Sequence, residues 1–158
     1  MGEGLIEFIR ESNLIEGIDR EPTGDEIEAA ERFLRLFDVS VAALVDFQKV
    51  YAPGKPLRAS EGMNVRVGRY IAPPGGPAIA RKLQVICRKA NAGSEPWRTH
   101  LEFERLHPFM DGNGRTGRML WAWQMHSQDK RPFVISFLHR FYYQTLEHSA
   151  PANSEDGA

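Results

Sequence analysis

His107-Pro108-Phe109-Met110-Asp111-Gly112-Asn113-Gly114-Arg115-Thr116-Gly117-Arg118 is the stretch that decides how this chain is read. Pro108 opposes a continuous helix, so the helical segment before it is expected to stop at His107. Gly112, Asn113 and Gly114 permit a tight turn with open backbone N–H groups, and a helix is expected to begin at about Arg115. A glycine turn feeding a helix N-terminus is an anion site, because its free N–H groups and the helix dipole point the same way. Arg115 and Arg118 are three apart and fall on one face of the first turn. Two cations there oppose the dipole, a local conflict that an anionic ligand would resolve. Asp111 places a carboxylate beside the anion site, which suits a magnesium ion that also touches phosphates. His107 can be neutral at pH 7 and accept a proton from a hydroxyl. Together these residues suit phosphoryl or nucleotidyl transfer.

Two other phosphate-binding readings fail. Gly112, Gly114 and Gly117 match the dinucleotide fingerprint G-x-G-x-x-G, but that pattern needs a buried strand before it and a βαβ unit around it. The preceding Leu101–Leu106 has helical spacing and charged residues instead. No G-x-x-x-x-G-K-S/T occurs, which excludes a P-loop.

Working outward, the chain reads as mainly α with one small β excursion. Leu5, Ile6, Phe8, Ile9, Leu14 and Ile15 mark a first helix, with Gly17 as its C-cap. Thr23-Gly24-Asp25-Glu26 is a capping box ahead of a second helix carrying Ile27, Ala30, Phe33, Leu34 and Phe37. A third helix is expected from about Ser40 to Val50. Asn64–Ile71 alternates apolar and polar residues and runs into Pro73-Pro74-Gly75-Gly76, a short hairpin. Pro77 opens a helix to Asn91. Further helices are expected over Pro96–Leu106, Arg115–Gln128 and most of Phe133–His148. The tail Ser149–Ala158 is small and polar and is expected to be disordered.

Composition sets the outer bounds. The chain has 158 residues, 42% hydrophobic and 26% charged, which suits a single globular domain over residues 1–148. A net charge of -1 argues against a general nucleic-acid binder. No apolar run reaches membrane-spanning length, and no partner membrane is expected. Cys87 is the one cysteine, so no intramolecular disulfide forms, and a reducing, cytoplasmic setting is expected. Ile79, Leu83 and Ile86 share its helical neighbourhood, so Cys87 reads as core rather than as a catalytic thiol. His100 and His107 lack a metal-site context, and His100 reads as a packing residue. His126, His139 and His148 read as surface or partly buried side chains. Trp121, Trp123, Tyr142 and Tyr143 read as packing.

At His107–Arg118 the chain resembles the Fic family, matching its motif H-x-F-x-D/E-G-N-G-R-x-x-R at every specified position. Weaker similarity extends through Trp97, His100 and Phe103 and the Val65–Gly76 hairpin. The resemblance implies a helical bundle with a hairpin flap over the active site, and a protein adenylyltransferase that moves AMP from magnesium-ATP to a Ser, Thr or Tyr hydroxyl of a target protein. By that resemblance His107 is the base, Asp111 the magnesium ligand, and Gly112, Asn113 and Gly114 the phosphate anion hole. Arg115 and Arg118 are the phosphate clamps, with Arg118 facing the γ-phosphate. Val65, Arg66, Val67, Gly68, Arg69, Tyr70 and Ile71 are the flap that aligns target backbone by strand addition. Arg66 and Arg69 are expected to face solvent or the target, and Tyr70 is a candidate for self-modification. A homodimer through helical faces is also implied.

Ser12-Asn13-Leu14-Ile15-Glu16-Gly17 resembles the family's inhibitory pattern S/T-x-x-x-E-G/N, in the class whose brake precedes the catalytic core. Glu16 is expected to pair with Arg118 and withhold it from the γ-phosphate. The alternatives on the same fold are AMP removal, transfer of UMP or phosphocholine, and a non-catalytic nucleotide-sensing module. A Doc-type kinase would carry lysine in place of Gly114.

Overall fold

The computed structural model describes residues 2–133. The expected last helix beyond Phe133 and the tail Ser149–Ala158, with His139, Tyr142, Tyr143 and His148, lie outside the described residues. The elements are α1 (Gly2–Ile15), α2 (Gly24–Leu34), α3 (Val41–Tyr51), β1 (Arg66–Val67), β2 (Tyr70–Ile71), α4 (Pro77–Asn91), α5 (Pro96–Leu106) and α6 (Asn113–Ser127). The fold is mainly α, with one two-stranded antiparallel hairpin pairing Arg66 with Ile71 and Val67 with Tyr70.

Local chemistry starts each helix. Thr23 and Glu26 close a reciprocal capping box on α2, and the Ser40 side chain caps α3 by accepting from Ala43 N–H. Pro77 and Pro96 occupy first-turn positions of α4 and α5, where a missing N–H costs nothing. Helix α6 is central. It contacts α1, α2, α3 and α5, and Met119, Leu120, Ala122 and Trp123 are buried along it. Cys87 is 3% exposed among core residues, and burial pushes its thiol up to about 11, as befits an inert packing residue.

Two expectations need correction. Phe37 does not extend the apolar face of α2: the helix ends at Leu34, and Phe37 is 94% exposed. Leu36 turns inward instead, and its carbonyl accepts the indole N–H of Trp123 at 3.0 Å. Helix α6 begins at Asn113 rather than Arg115, because Gly112 at φ 78 is already its N-cap.

A buried arginine organises the approach to the site. Arg58 is 0% exposed. Its guanidinium donates to the carbonyls of His107 (2.7 Å), Leu106 (2.9 Å), Met63 (3.0 Å) and Pro73 (2.7 Å). Its backbone N–H donates to Pro108 O at 2.9 Å, and Met110 N–H donates to Pro56 O at 3.0 Å. Leu57 and Phe109 thereby form an antiparallel bridge. One side chain thus ties the end of α5 to both ends of the hairpin segment. Burial lowers its pKa from the ordinary value, although a guanidinium stays charged in proteins.

Replacing this hub should be costly. Arg58→Met fills similar volume but leaves buried carbonyls unpaired, at about 3 kcal/mol or more of lost stability. Urea unfolding should show a midpoint clearly below wild type. An unchanged midpoint would contradict the assignment of Arg58 as the hub.

Candidate active site

His107 caps the C-terminus of α5 in a left-handed conformation, φ 51 and ψ 61. A non-glycine residue there costs on the order of 1 kcal/mol, and it is held because Arg58 fixes the His107 carbonyl. The ring is partly buried, and its Nδ1 lies 3.1 Å from the Glu104 carbonyl. A carbonyl can only accept, so Nδ1 carries the proton and Nε2 keeps the lone pair. Burial lowers the His107 pKa, opposed by the Glu104 carbonyl bond and by Glu16 and Asp111, and assisted by Arg58. The ring is therefore neutral at pH 7 and able to accept a proton at Nε2.

The loop after His107 is closed by its own residues. Asn113 is buried, accepts from Phe109 N–H at 2.8 Å and donates to Phe109 O at 2.8 Å. Phe109 is 0% exposed and anchors the loop in the core. Gln48 of α3 donates to the Asp111 carbonyl at 3.0 Å. Gly112 must be glycine: besides its positive φ, a Cβ would lie 2.9 Å from the Ala52 Cβ. Helix α6 opens with no side-chain cap, so its first-turn N–H groups remain open to an anion. The Asp111 side chain is exposed, with Oδ1 accepting Gly112 N–H at 2.7 Å. Among the described residues no cluster of three His, Cys, Asp or Glu could hold a metal alone. A lone exposed carboxylate fits magnesium, which takes one carboxylate and completes its shell with phosphates and water.

The two arginines diverge, although their spacing puts them on one helical face. Arg115 is 6% exposed, donates from Nη1 to Tyr51 O at 2.8 Å and lies 5.9 Å from the Tyr51 ring centroid. Its buried Nε has no hydrogen-bond partner among the described residues. Arg118 is 1% exposed and turns to α1. Its Nε donates to Ser12 Oγ at 2.7 Å, and its Nη2 donates to Ser12 O at 2.9 Å and to Glu16 Oε1 at 2.7 Å.

Glu16 is delivered to this position by the way α1 ends. Gly17, at φ 77, lets Ile18 N–H reach Asn13 O (3.0 Å) and Gly17 N–H reach Leu14 O (2.9 Å), a Schellman closure. Glu16 then stands directly after Ile15, the last residue of the helix. A carboxylate at a helix C-terminus is unfavourable, but this one sits against the N-terminal turn of α6. A Cβ on Gly114 would overlap Glu16 Oε1. The α1–α2 joint is fixed by Glu26, which accepts from Asn13 (3.1 Å), Arg20 (2.6 Å) and Thr23 N–H (2.8 Å). Burial pushes the Glu26 carboxyl up, and these bonds outweigh it, so its pKa is lowered.

Two residues at the site have no counterpart in the sequence reading. One is Arg58. The other is Glu104, whose carboxyl rests on α6 where Gly117 has no side chain; a Cβ on Gly117 would overlap Glu104 Oε1. That oxygen has no hydrogen-bond partner among the described residues. Burial, with Arg118 opposing and Glu16 assisting, pushes the Glu104 carboxyl up to about 8. It is therefore mainly protonated at pH 7 and adds no second anion beside Arg118. His100, 0% exposed, faces Gly117 O at 2.9 Å and is pushed down to about 4 by burial. It is a neutral packing residue between α5 and α6.

The hairpin stands at the surface. Arg66, Val67, Gly68, Arg69 and Ile71 are exposed, and Val65 is half-buried. Tyr70 is tied down, its hydroxyl donating to Arg105 O at 2.6 Å. Trp121 is partly buried against the core, and His126 is exposed. Among the described residues no helix is long and apolar enough to cross a membrane.

A sequence model of the Fic/DOC family matches residues 41–125, which include the whole His107–Arg118 motif. Among solved structures, a Fic family protein from Desulfovibrio desulfuricans G20 is similar, with a TM-score of 0.62 and 22% identity. The match covers 93% of this chain and 57% of that one, so this chain spans little more than half of that protein's length. At that identity the likeness is one of fold.

The raised pKa of Glu104 gives a signed pH dependence. A carboxyl held protonated in the fold contributes its full stability below the unfolded value of about 4.3 and loses it as pH rises towards the folded value. Glu104→Gln keeps the shape and removes the titration. The thermal midpoint of the variant, relative to wild type, should therefore be higher at pH 8 than at pH 5. An equal difference at both pH values would contradict a buried, protonated Glu104.

Proposed function

The chain belongs to the Fic/DOC family, and we propose that it is a transferase that moves AMP from magnesium-ATP to a hydroxyl side chain of a target protein. The observation that carries this reading is His107: a neutral ring, fixed through Nδ1, with its Nε2 lone pair available beside an uncapped helix N-terminus. A module that only bound nucleotide would have no use for that base.

The chemistry follows from these positions. ATP phosphates lie on the first-turn N–H groups of Asn113, Gly114 and Arg115. The buried Nε of Arg115, without a hydrogen-bond partner among the described residues, supplies one donor for a phosphate oxygen, and Arg118 faces the γ-phosphate once Glu16 releases it. His107 Nε2 takes the proton of the target hydroxyl, whose oxygen attacks the α-phosphorus. The new P–O bond forms as the bond from the α-phosphorus to the bridging oxygen breaks, and pyrophosphate leaves. Arg115, Arg118 and the α6 dipole stabilise the charge that develops. A magnesium ion on Asp111 would add charge neutralisation across the phosphates. The Val65–Ile71 hairpin holds the target backbone as an added strand.

Glu16 is the brake in this reading. While Glu16 and Ser12 hold Arg118, the γ-phosphate lacks its partner and the α-phosphorus is out of line for attack. Misplacement of about 1 Å can cost on the order of a hundredfold in rate. Glu16 also sits where it could orient a water molecule, so AMP removal is the second reading, favoured by the carboxylate's 37% exposure.

Transfer from α-labelled ATP in cell lysate should be weak with wild type and rise on the order of a hundredfold with Glu16→Gly. It should vanish when His107→Ala is added. If Glu16→Gly binds ATP but transfers no label, the AMP-transfer reading fails; loss of AMP from a modified target would then favour removal.

A further inference from the structure

A groove runs beside the hairpin, between α4 and α5. Its apolar lining is Tyr70 and Pro73 from the hairpin segment, Val85 and Ile86 from α4, and Leu106 from α5, beside the charged Lys82, Glu102 and Arg105. Hairpin register adds to it. Val67 pairs directly with Tyr70, so the two share a face of the sheet, and Val67 stands on the groove side. Val67 and Val85 are 49% and 42% exposed, two of only five large apolar side chains left open among the described residues. The Tyr70 hydroxyl donates to the Arg105 carbonyl and so ties the hairpin side of the groove to α5.

The charge around this groove is one-sided. Lys82 and Arg105 lie on its walls, and Arg66 and Arg69 stand exposed on the neighbouring hairpin. Glu102 is the carboxylate on the wall, and Lys89 already pairs with it at 3.0 Å. Lys82, Arg66 and Arg69 have no ion pair with any described residue. The groove therefore offers apolar burial with a cationic rim, and it is continuous with the strand edge of the hairpin.

We propose that this groove reads the target: the extended segment that adds to the hairpin runs on between α4 and α5, burying one apolar side chain against Val85 and placing an acidic neighbour at Lys82. The proposal rests on the reading of the hairpin as a target-docking flap. An added strand shows alternate side chains to one face, so hairpin pairing sets the register and the groove selects the residue. The target class is a hydroxyl-bearing segment flanked by an apolar residue and acids, rather than a basic or uniformly polar one.

Binding, without nucleotide, tests this separately from AMP transfer. The probes are short fluorescein-labelled peptides with a central serine followed by Leu-Asp-Glu, by Ala-Asp-Glu or by Leu-Lys-Lys, titrated by polarisation against the full chain. The Leu-Asp-Glu peptide should bind best. Lys82→Glu should weaken it by about fivefold, the scale of one exposed charge pair, and should improve binding of the Leu-Lys-Lys peptide. That reversal cannot come from misfolding. Val85→Asp should remove the advantage of leucine over alanine. If the three peptides bind alike, if none binds, or if Lys82→Glu leaves the order unchanged, the groove does not read the target, whether or not the protein transfers AMP.

Discussion

The whole site depends on a buried positive charge that is satisfied by carbonyl oxygens. Arg58 gathers the ends of α5 and of the hairpin segment around one planar guanidinium. Arginine suits this task because its donors are rigid and diverge in a plane. A left-handed His107 would be expensive on its own, and the helix it caps ends at the residue before it. The four carbonyl contacts supply that support, and the short pairing of residues 56–58 with 108–110 continues it. His107, the motif loop and the hairpin therefore share one anchor.

A second charge sets the state of the site. Arg118 lies where the C-terminus of α1 meets the N-terminus of α6, and Glu16 stands between them as a carboxylate in an anion position. Each part of the arrangement has a physical reason. Gly17 closes the end of α1 so that Glu16 directly follows its last residue, Ile15, and Gly114 leaves room for the carboxylate. Ser12 takes the Arg118 Nε with its hydroxyl and shares Nη2 with Glu16 through its carbonyl. Glu104, protonated by burial, withholds a competing charge from Arg118. In the proposed reaction the γ-phosphate would take over the place of Glu16, one anion replacing another at the same helix end.

Much of this was legible because it is local in sequence. The motif, the capping box at Thr23, the prolines that open α4 and α5 and the glycine that ends α1 all act within a few residues. What was not legible depends on contacts far apart in the chain. Nothing in the neighbourhood of Arg58 marks it, since two of the carbonyls its side chain holds lie 48 and 49 residues away. The spacing of Arg115 and Arg118 gave a shared face, but their side chains were drawn apart by Tyr51 on α3 and Ser12 on α1. Glu104 lies four residues after His100 and three before His107, a helical stripe that could have drawn notice. Its burial, however, needs the missing side chain of Gly117 on another helix. Leu36 and Phe37 are both apolar, and which of them meets the core follows from how the chain leaves α2, which local spacing does not specify.

In the proposed mechanism Glu16 holds the arginine meant for a γ-phosphate. Calorimetric titration of ADP and ATP, with magnesium, into wild type and Glu16→Gly tests it most directly. The account predicts that removing the Glu16 carboxylate tightens ATP while changing ADP little, because only ATP carries the group that Arg118 would meet. Equal tightening of both nucleotides, or no change in either, would contradict it.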